Sequence, residues 1–377
     1  MTRVAIVRGP FLNPYDMAPY RILEPEFELV AVAARKCFTE SHATGLKVRR
    51  LLCPETEISV RRGKLLTMAP WFLGLGYSMI GFREAVADAD IIHTAETYFG
   101  FSLQSARAAT KLGRALVVTV KETIPEVEKV HPLRRHGREA AVKAQVDAAT
   151  SLYLPISRAA ATSLEMEGVD PARMQIIPPG VDTASFSPLD RQSGDPVEIL
   201  FVGPALWRKG ILDAVRALAL VRHQVPARLT ILGGGADLGR GLSLARELGL
   251  DESVRHLARV PYAEMPAIYQ ASDLLLAPSI PTRTWQEQDS MAVLEAMATG
   301  LPVVATPGGI RRELLGDEGF WCAPGDYIDA ANQVLEAIAS PAEASRRGAI
   351  LRGRAELEHG LGVVAAKLAE AYRRVTT

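Results

Sequence analysis

Two glutamates in the second half of the chain have a spacing that suits the binding of a charged ligand. Glu287 and Glu295 lie eight positions apart, and a helical pattern that starts close to Ser290 places Glu287 just before the helix and Glu295 about one turn inside it. The first N–H groups of a helix are unpaired and carry partial positive charge, which suits a diphosphate. The two carboxylates could therefore contact a phosphorylated ligand held over the helix start. The alternative is a loop acid and a solvated helix position.

Strand-like and helix-like segments that must position these residues alternate along almost the whole chain. Short runs of Val, Ile and Leu separated by helices predict parallel sheets that are covered on both faces. The predicted strands cover 4–7, 28–33, 89–93, 115–120 and 152–156, then 198–202, 228–232, 254–257, 273–277, 302–305 and 319–322. The main predicted helices cover 103–112, 138–149, 158–167, 210–222, 238–248, 291–299 and 328–338.

A stretch rich in Pro, Gly, Asp and Ser, at 178–196, separates the two series of strands. It has the composition of a linker between domains. We therefore predict an α/β fold in which two Rossmann-like, doubly wound domains face a central cleft. Parallel sheets bind ligands beyond the carboxyl ends of their strands, which makes this cleft the expected site. The predicted domains cover 1–190 and 195–358, and a terminal segment, 359–377, follows them.

The composition excludes several classes of protein. The chain has 377 residues, of which 48% are hydrophobic and 23% are charged, as in a folded protein and unlike a disordered or fibrous one. Its 43 basic and 43 acidic residues balance, whereas a nucleic-acid-binding protein normally has a basic excess. Cys37, Cys53 and Cys322 are isolated, which argues against a disulfide scaffold or a thiolate zinc site. The first apolar run is too short for a signal peptide, so we expect a cytoplasmic protein.

Further motifs surround the two glutamates. Those close to them are Trp285-x-Glu287-Gln288, Glu295-Ala296-Met297-Ala298, Gly300-x-Pro302-Val303-Val304-Ala305 and Gly308-Gly309. Those upstream are Pro179-Gly180-Val181-Asp182, Phe201-Val202-Gly203, Lys209-Gly210, Gly233-Gly234-Gly235 and Tyr269-x-x-Ser272-Asp273 before Pro278-Ser279. Over roughly 150–340 this set resembles the family-four retaining glycosyltransferases, whose donor-site motif is Glu-x7-Glu.

This resemblance implies the GT-B architecture, in which a C-terminal Rossmann-like domain holds a nucleotide-sugar and an N-terminal one holds the acceptor. The amphipathic segment 363–374 would be the helix that crosses back onto the N-terminal domain. The resemblance also implies transfer of a hexosyl group from a UDP- or GDP-linked donor to a glycan, lipid-linked or small-molecule acceptor, with retention of anomeric configuration. The family is described as metal-independent, so neither a metal nor a permanently bound cofactor is expected.

Carried over residue by residue, the resemblance assigns a role to each candidate. Glu295 would bind the ribose hydroxyls, and Glu287 would contact hydroxyls of the donor sugar. Lys209 would neutralise the diphosphate, and such fixed positive groups would stabilise the transition state in which the diphosphate departs. Gly9 would let the first loop approach the phosphate without a Cβ clash. The other residues expected to bind the donor are Gly203, Arg208, Ser290, Met291 and Ala292.

Three positions depart from the family pattern. Pro204 stands where the family normally has an arginine, and Arg208 could supply that cation or be an exposed arginine at a helix start. Lys121 stands where a histidine often follows the strand, and it could act at the site, by binding a phosphate or a sugar hydroxyl, or be a solvated loop lysine. Asp289 puts a negative charge near the expected diphosphate, which is unfavourable unless Asp289 caps the helix. These departures leave open whether a bound donor is turned over.

The first half of the chain supplies the candidates for acceptor binding. His93 ends a predicted strand at the expected cleft edge, and it could contact a sugar acceptor or be a structural histidine. Residues 65–82 carry no charge, and the preceding segment 35–64 has eight basic and three acidic residues. A basic patch beside apolar residues favours anionic lipid surfaces. We expect either a core helix or covered loop, or a peripheral contact with the inner membrane face, which sedimentation with anionic liposomes at low salt would test.

The sequence therefore predicts a retaining, nucleotide-sugar-dependent glycosyltransferase. The alternatives are a sugar-nucleotide epimerase, a phosphorylase, or a non-catalytic nucleotide-sugar-binding protein, the last because of the departures at Pro204, Lys121 and Asp289. No pyridoxal-binding lysine environment can be identified for a phosphorylase. No G-x-G-x-x-G follows the first strand, as an NAD-dependent enzyme would need. The stretch 88–90 matches a D-x-D metal motif only formally, because it opens a strand in the other domain.

Overall fold

The computed structural model describes residues 1–38, 44–58, 76–129, 138–189 and 194–376. The chain forms two compact units, of which the first is Met1–Gly180 with Leu361–Thr377 and the second is Val181–Gly360. Each unit contains a six-stranded sheet whose strands are parallel. The prediction of two Rossmann-like α/β domains is confirmed.

The sheet of the first unit has the strand order β3-β2-β1-β4-β5-β6, the doubly wound order of a Rossmann-like domain. Its strands are β1 (Thr2–Gly9), β2 (Phe27–Ala34), β3 (Lys47–Leu51), β4 (Ile91–Ala95), β5 (Ala115–Val120) and β6 (Leu152–Pro155). The central strands β1 and β2 bury nearly all of their side chains, as strands covered on both faces must. The edge strand β3 is exposed or half-buried throughout.

Helices of the first unit follow or precede these strands. They are α1 (Pro14–Arg21), α2 (Pro54–Ile58), α3 (Phe82–Ala85), α4 (Gly100–Leu112), α5 (Glu126–Lys129), α6 (Arg138–Ala149) and α7 (Arg158–Met166). The start of α7 shows why the chain becomes helical there. The Ser157 side chain accepts a hydrogen bond from the backbone N–H of Ala160, which satisfies one of the unpaired donors of the first turn.

The sheet of the second unit repeats this plan with the order β12-β11-β10-β7-β8-β9. Its strands are β7 (Val197–Val202), β8 (Ala227–Leu232), β9 (Val254–Leu257), β10 (Leu274–Ala277), β11 (Val303–Ala305) and β12 (Phe320–Trp321). Strand β10 pairs with both β7 and β11. The carboxyl ends of these three strands are therefore neighbours, and the segments that follow them are brought to one edge of the sheet.

Helices of the second unit are α8 (Ile211–Arg222), α9 (Leu238–Glu247), α10 (Met265–Gln270), α11 (Met291–Thr299), α12 (Arg311–Leu315), α13 (Tyr327–Ala339) and α14 (Pro341–His359). Short 3-10 turns occur at Pro171–Arg173 in the first unit and at Trp207–Lys209, Asp251–Ser253, Tyr262–Glu264 and Gly316–Glu318 in the second. Helix α11 ends at Gly300, which has a left-handed φ of 75°. The helix predicted over 291–299 is confirmed, and a glycine terminates it.

The last helix, α15 (Leu361–Thr376), belongs to the first unit. Its side chains Val364, Leu368 and Tyr372 are buried in the core that also contains Val4 and Leu29 of the sheet. No helix in the described ranges is both long enough and apolar enough to cross a bilayer. Most of the uncharged stretch 65–82 lies outside those ranges, as do His42, His131 and His136.

Candidate functional site

Glu287 is held in the second unit by two cations and a hydroxyl. The Lys209 ammonium Nζ lies 2.9 and 3.0 Å from the two carboxylate oxygens of Glu287. The Ser279 hydroxyl donates a hydrogen bond of 2.7 Å to the same carboxylate, and a guanidinium nitrogen of Arg311 lies 3.3 Å from it. Only 7% of Glu287 is exposed. Glu287 is therefore a loop acid, as the alternative had it, but one that is buried and paired with cations.

The sheet topology explains why these side chains meet. Lys209 lies in the 3-10 turn that follows β7, Ser279 follows β10, and Arg311 opens α12 after β11. Because β7, β10 and β11 are neighbours, their carboxyl ends deliver the three side chains to one place. Gly210 allows the close approach of the lysine turn: it has a φ of +79°, and a Cβ there would lie 2.1 Å from the Pro278 carbonyl oxygen.

A second glycine turn supports the backbone of Glu287 itself. Gly309 has a φ of +54°, and a Cβ at this position would lie 1.8 Å from the carbonyl oxygen of Glu287. The Gly309 N–H donates to the side-chain oxygen of Gln286 at 3.2 Å. The Gly308-Gly309 motif therefore seats the loop that carries the glutamate, because only glycine combines this φ with the absence of a side chain.

We expect Gly309→Ala to destabilise the second unit and displace Glu287. The left-handed φ and the contact with backbone together should lower the free energy of unfolding by roughly 2 kcal/mol more than a left-handed φ alone. Gly325→Ala is the matched control, because Gly325 has a φ of +76° and nothing within 4 Å of the added Cβ. Urea unfolding of both variants measures the difference. Equal loss of stability in the two variants would show that the contact with Glu287 is unimportant.

The surroundings of Glu287 keep its carboxylate ionised. Burial raises the pKa of Glu287, but the charges of Arg311 and Lys209 outweigh it, and the hydrogen bond from Ser279 adds to them, so that the pKa is about 2. The carboxylate therefore carries its full negative charge at neutral pH. An ionised carboxylate can accept hydrogen bonds from sugar hydroxyls or stabilise a positive charge that develops nearby.

Glu295 lies on α11 in a different environment. Two tyrosine hydroxyls donate to its carboxyl group, Tyr269 at 2.7 Å and Tyr262 at 3.0 Å, and only 3% of the residue is exposed. Burial is the main cause that raises the pKa of Glu295, to about 7; the negative charge of Asp289 adds to it, and the hydrogen bonds of the two tyrosines oppose it. The alternative of a solvated helix position is therefore wrong. Binding of ribose hydroxyls by Glu295 stays a prediction.

The start of α11 lies next to the Glu287 carboxylate. Ser290 occupies the N-cap position with a φ of +44°, and its side chain makes no capping hydrogen bond. The Ser290 hydroxyl instead donates to Glu287 at 3.5 Å and accepts from Arg311 at 3.2 Å. The following residues Met291 and Ala292 are half-buried. The N–H groups of this turn and the ion pair thus belong to one site, whereas binding of a diphosphate by them stays a prediction.

Arg208 and Lys209 both approach the indole ring of Trp285. The Arg208 guanidinium carbon lies 4.8 Å from the ring centroid, and the Lys209 nitrogen lies 5.2 Å from it. Arg208 is therefore a half-buried cation at the same site and more than an exposed arginine at a helix start. Gly203 packs closely as well, since a Cβ on Gly233 would lie 2.3 Å from the Gly203 carbonyl oxygen.

Three predicted site residues belong to the first unit. His93 has no exposed surface, and its ring nitrogens lie 2.7 Å from the Tyr372 hydroxyl and 2.7 Å from the Thr119 hydroxyl. Burial, together with the charge of Arg8, holds the pKa of His93 well below its usual value. The ring thus links β4 and β5 to α15 as a neutral, structural histidine would. Contact between His93 and an acceptor stays a prediction that this burial does not support.

Lys121 and Gly9 are also engaged within the first unit. The Lys121 ammonium lies 3.0 Å from both carboxylate oxygens of Asp16, so the alternative of a solvated loop lysine is wrong. Gly9 has a φ of +54°, and a Cβ there would lie 2.6 Å from the Phe101 ring. The absent Cβ makes room for this aromatic ring, which is a structural reason for glycine at this position. Contact of Gly9 or Lys121 with a ligand stays a prediction.

Both aspartates of the formal D-x-D motif accept hydrogen bonds from arginines. The carboxylate of Asp88 accepts hydrogen bonds of 2.6 and 2.7 Å from Arg49, and Asp90 accepts one of 2.9 Å from the Arg3 backbone N–H. Within the described ranges, no three His, Cys, Asp or Glu side chains come together as metal ligands.

Sequence reasoning missed Arg311, although it contacts the centre of the site. Only 4% of it is exposed, and it donates to the Ala277 carbonyl oxygen at 2.8 Å and to the hydroxyls of Thr306 and Ser279 at 3.1 and 2.9 Å. Its position two residues after the Gly308-Gly309 turn was the available signal. The neighbouring Arg312 is exposed, and nothing in the sequence separates these two arginines.

Comparison with protein families assigns this arrangement to a known group. Residues 187–354 match the family described as glycosyl transferases group 1, and residues 37–185 match the one described as glycosyltransferase family 4. The chain is a family-4-like glycosyltransferase. Curated relatives of this glycosyltransferase include the glycogen synthase of Mycobacterium tuberculosis, which is 27% identical over 321 residues that cover 81% of this chain and 75% of the relative. The D-inositol 3-phosphate glycosyltransferase of Pseudarthrobacter chlorophenolicus is 32% identical over 241 residues, which cover 59% of this chain and 56% of the relative.

Solved structures share the fold of this glycosyltransferase. HepE of Anabaena, solved in complex with UDP, matches with a TM-score of 0.76 and 18% identity, over 99% of this chain and 100% of that chain. The sucrose-phosphate synthase of Thermosynechococcus elongatus matches with a TM-score of 0.76 and 19% identity, over 100% and 99% of the two chains. At these identities the likeness shows the fold alone, which is the two-domain GT-B fold. The glycosyltransferase therefore has the architecture that its motifs implied.

Proposed function

We propose that the chain transfers a hexosyl group from a UDP- or GDP-linked donor to an acceptor, with retention of anomeric configuration. The observation that carries the proposal is the buried Glu287 carboxylate, paired with Lys209 at 2.9 Å beside the N-terminus of α11. A negative charge, a lysine cation and the N–H groups of a helix start at one place match the needs of a sugar diphosphate. HepE has been solved with UDP and glucose and with UDP-glucose, which supports a nucleotide-sugar as the donor.

In the proposed reaction the donor diphosphate is the leaving group. Lys209, Arg208 and the N–H groups of Ser290, Met291 and Ala292 stabilise its growing negative charge, while Glu287 faces the sugar, on which positive charge develops. Glu295 accepts hydrogen bonds from the ribose hydroxyls. Pro204 removes one cation that the family pattern would supply, and Arg208, held over Trp285, is the cation that replaces it.

The acceptor is proposed to bind the first unit and to be a glycan, a lipid-linked sugar or a small molecule. The curated relatives, a glycogen synthase and a D-inositol 3-phosphate glycosyltransferase, make both a glycan and a small molecule reasonable classes. Lys121, which pairs with Asp16, is the contact proposed there, whereas His93 stays a sequence prediction that its complete burial does not support. The proposal gives no role to a metal, and turnover that persists in EDTA would support this.

Contact with an anionic membrane and a cytoplasmic location stay predictions. Part of the basic segment has protein partners: Lys36 pairs with Glu57, and Arg49 pairs with Asp88. These pairs reduce the charge that the segment offers to a lipid surface. Residues 59–64, which hold three of its basic side chains, lie outside the described ranges.

A nucleotide screen tests the donor half of the proposal. One of UDP, GDP, ADP and NAD should raise the melting temperature, because a ligand at 100 times its Kd stabilises the native state by about 2.7 kcal/mol. UDP or GDP is the expected ligand, and its sugar conjugate should slowly release the diphosphate. Stabilisation by NAD alone would contradict the proposal. Binding of a diphosphate without any release from its sugar conjugate, with acceptors present, would indicate a binding protein.

Lys209→Met should weaken binding of the nucleoside diphosphate about tenfold to a hundredfold, since a charge-assisted contact with phosphate contributes roughly 1.5–3 kcal/mol. Arg228→Met is the matched control, because Arg228 is an exposed cation of the same unit, paired with Glu198 on the strands of the sheet. Isothermal titration calorimetry measures both affinities. An unchanged affinity in Lys209→Met would remove this lysine from the proposed site.

A further inference from the structure

We propose that Arg311 is the positioning residue that keeps Glu287 ionised and in place while Lys209 turns from this carboxylate to the phosphates of the donor. The proposal rests on the proposed function, since it assumes that a nucleotide-sugar diphosphate is the ligand. It assigns different roles to the two cations that contact the same carboxylate. Arg311 stays with Glu287, whereas Lys209 serves both Glu287 and the ligand.

The contacts of Arg311 fix it in one position. Its Nε donates to the Ser290 hydroxyl, one terminal nitrogen donates to the Ala277 carbonyl and the Thr306 hydroxyl, and the other donates to the Ser279 hydroxyl and pairs with Glu287. The partners come from the ends of β10 and β11, from the loop after β10 and from the start of α11. An arginine whose planar fork is satisfied on every side cannot leave without breaking several buried hydrogen bonds.

Lys209 has the opposite character. Its side chain is 24% exposed, against 5% for that of Arg311, and it has one flexible stem and one compact charge. Its described partners are the Glu287 carboxylate and the Trp285 ring. Exchange of a carboxylate oxygen for a phosphate oxygen keeps the ammonium paired with an anion. The lysine is thus the cation that can move when a diphosphate arrives.

The charge balance shows why a second, fixed cation is needed. A buried carboxylate that lacks a cation takes up a proton, as the raised pKa of Glu295 beside its two tyrosines illustrates. If Arg311 were absent, Glu287 would have no cation partner once Lys209 had moved to the phosphates, and its carboxylate would take up a proton. The charged groups that face Glu287 are Lys209 from the 3-10 turn and Arg311 from α12. The titratable groups that face Arg311 are Glu287 and Cys322, which lies just after β12. Burial raises the pKa of the Cys322 thiol to about 12, so this thiol stays neutral and leaves the role to Arg311.

The test compares Arg311→Met, Arg311→Lys and Arg312→Met in donor binding and donor turnover between pH 5 and pH 8. Wild type should lose little activity to titration of Glu287 at pH 5. In Arg311→Met, Glu287 should titrate like Glu295, whose pKa is about 7 without a cation partner, so the ratio of turnover at pH 8 to turnover at pH 5.5 should rise about tenfold or more over that of wild type. Arg311→Lys should return the ratio of turnover at pH 8 to turnover at pH 5.5 to the wild-type value, because lysine restores the positive charge. Its turnover at pH 8 should stay below that of wild type, because lysine cannot make the same hydrogen bonds. Arg312→Met is the control, because Arg312 is exposed and lies 4.8 Å over the Trp321 ring.

The outcomes separate this proposal from its premise. An Arg311→Met variant that binds and turns over the donor with the pH profile of wild type would overturn the positioning role. Turnover that is reduced by the same factor at every pH in Arg311→Met would show a merely structural role and overturn the proposal as well. If Arg311→Met does not fold, the double variant Arg311→Met with Glu287→Gln should recover the fold, because it removes both charges together. Failure of wild type to bind any nucleotide-sugar would instead contradict the proposed function.

Discussion

Glu287→Gln should reduce donor turnover by about a thousandfold or more while changing the affinity for the nucleoside diphosphate less than tenfold, a loss confined to the transition state. Glutamine keeps the shape of the side chain and can still accept from the Ser279 hydroxyl, which lies 2.7 Å away. It removes the negative charge that is proposed to face the positive charge on the sugar. The freed Lys209 remains available to the diphosphate, so binding of the leaving group should persist.

Glutamine is the informative replacement because alanine would add a folding defect. Arg311 is 4% exposed, and Glu287→Ala would leave this guanidinium with neither a charge nor an oxygen acceptor, whereas Glu287→Gln removes the charge but keeps an amide oxygen beside it. Removal of one partner of a buried ion pair costs about 3–5 kcal/mol, and the amide oxygen reduces this loss. Glu336→Gln serves as the control, because Glu336 is an exposed glutamate on α13 of the same unit. Diphosphate release and calorimetric binding should be measured together, and turnover of Glu287→Gln within tenfold of wild type would contradict the assigned role.

The sequence predicted the central strands well because their composition reflects burial on both faces. The central residues of β1 and β2, at 4–7 and 29–34, are all Val, Ile, Leu or Ala, as expected of strands covered by helices. The edge strand β3 was missed, since Lys47, Arg49 and Arg50 give it no apolar run. Helices α1 and α14 were missed as well, because α1 contains two prolines and α14 buries mainly small residues, so that it shows no apolar stripe. These elements form through packing against neighbours that are distant in the sequence.

Strand ends show a related limit. Strand β4 was predicted over 89–93 and is found at Ile91–Ala95. The strand extends to Ala95 because pairing with β5 continues, as in the pair of Ala95 with Thr119 and in the hydrogen bond from Glu96 N–H to the Thr119 carbonyl. Ala89 and Asp90 precede the strand, although Ala89 is buried. Apolar composition alone could not distinguish the pairing residues from the buried turn before them.

The candidate site was only partly accessible from the sequence. Spacing placed Glu287 and Glu295 correctly around a helix start, since that argument depends on helix geometry alone. The partners of Glu295, Tyr262 and Tyr269, could not be predicted, because they come from a preceding 3-10 turn and helix that fold back onto α11. The choice of Arg311 over Arg312 likewise depends on which side of α12 faces the end of the sheet. Contacts across the sheet edge require the tertiary fold.

The environment of Glu295 leads to the second large effect, a pH-dependent affinity for the donor. Burial gives Glu295 a pKa of about 7, and ribose hydroxyls donate best to the ionised form. Donor binding should therefore strengthen as pH rises from 5.5 towards 8, by up to about tenfold per unit below the pKa. A nucleotide-sugar is the right probe, because its diphosphate is a diester and does not itself titrate in this range. Free UDP would add the ionisation of its terminal phosphate.

Stability should change in the opposite direction over the same range. A carboxyl whose folded pKa lies above its unfolded value is protonated preferentially in the native state. The resulting contribution of Glu295 to stability is complete below the unfolded pKa, declines as pH rises and is lost above about 7. Protonation of Glu295 thus stabilises the free protein and lowers its affinity for the donor. At acid pH this residue should therefore contribute more to stability and less to donor binding.

Two variants assign the effect to Glu295. Glu295→Gln should bind the donor weakly at both pH 5.5 and pH 8, with no change of affinity between them. Asp289→Asn should move the midpoint of the affinity change to lower pH, because the charge of Asp289 raises the pKa of Glu295. Asp251→Asn is the control, because Asp251 is an exposed acid in the 3-10 turn before β9. Calorimetry in buffers of different ionisation enthalpy would also count the proton that is released when the donor binds near pH 6.5. An affinity that is independent of pH in wild type, or an unshifted midpoint in Asp289→Asn, would contradict the assignment of Glu295 to the ribose.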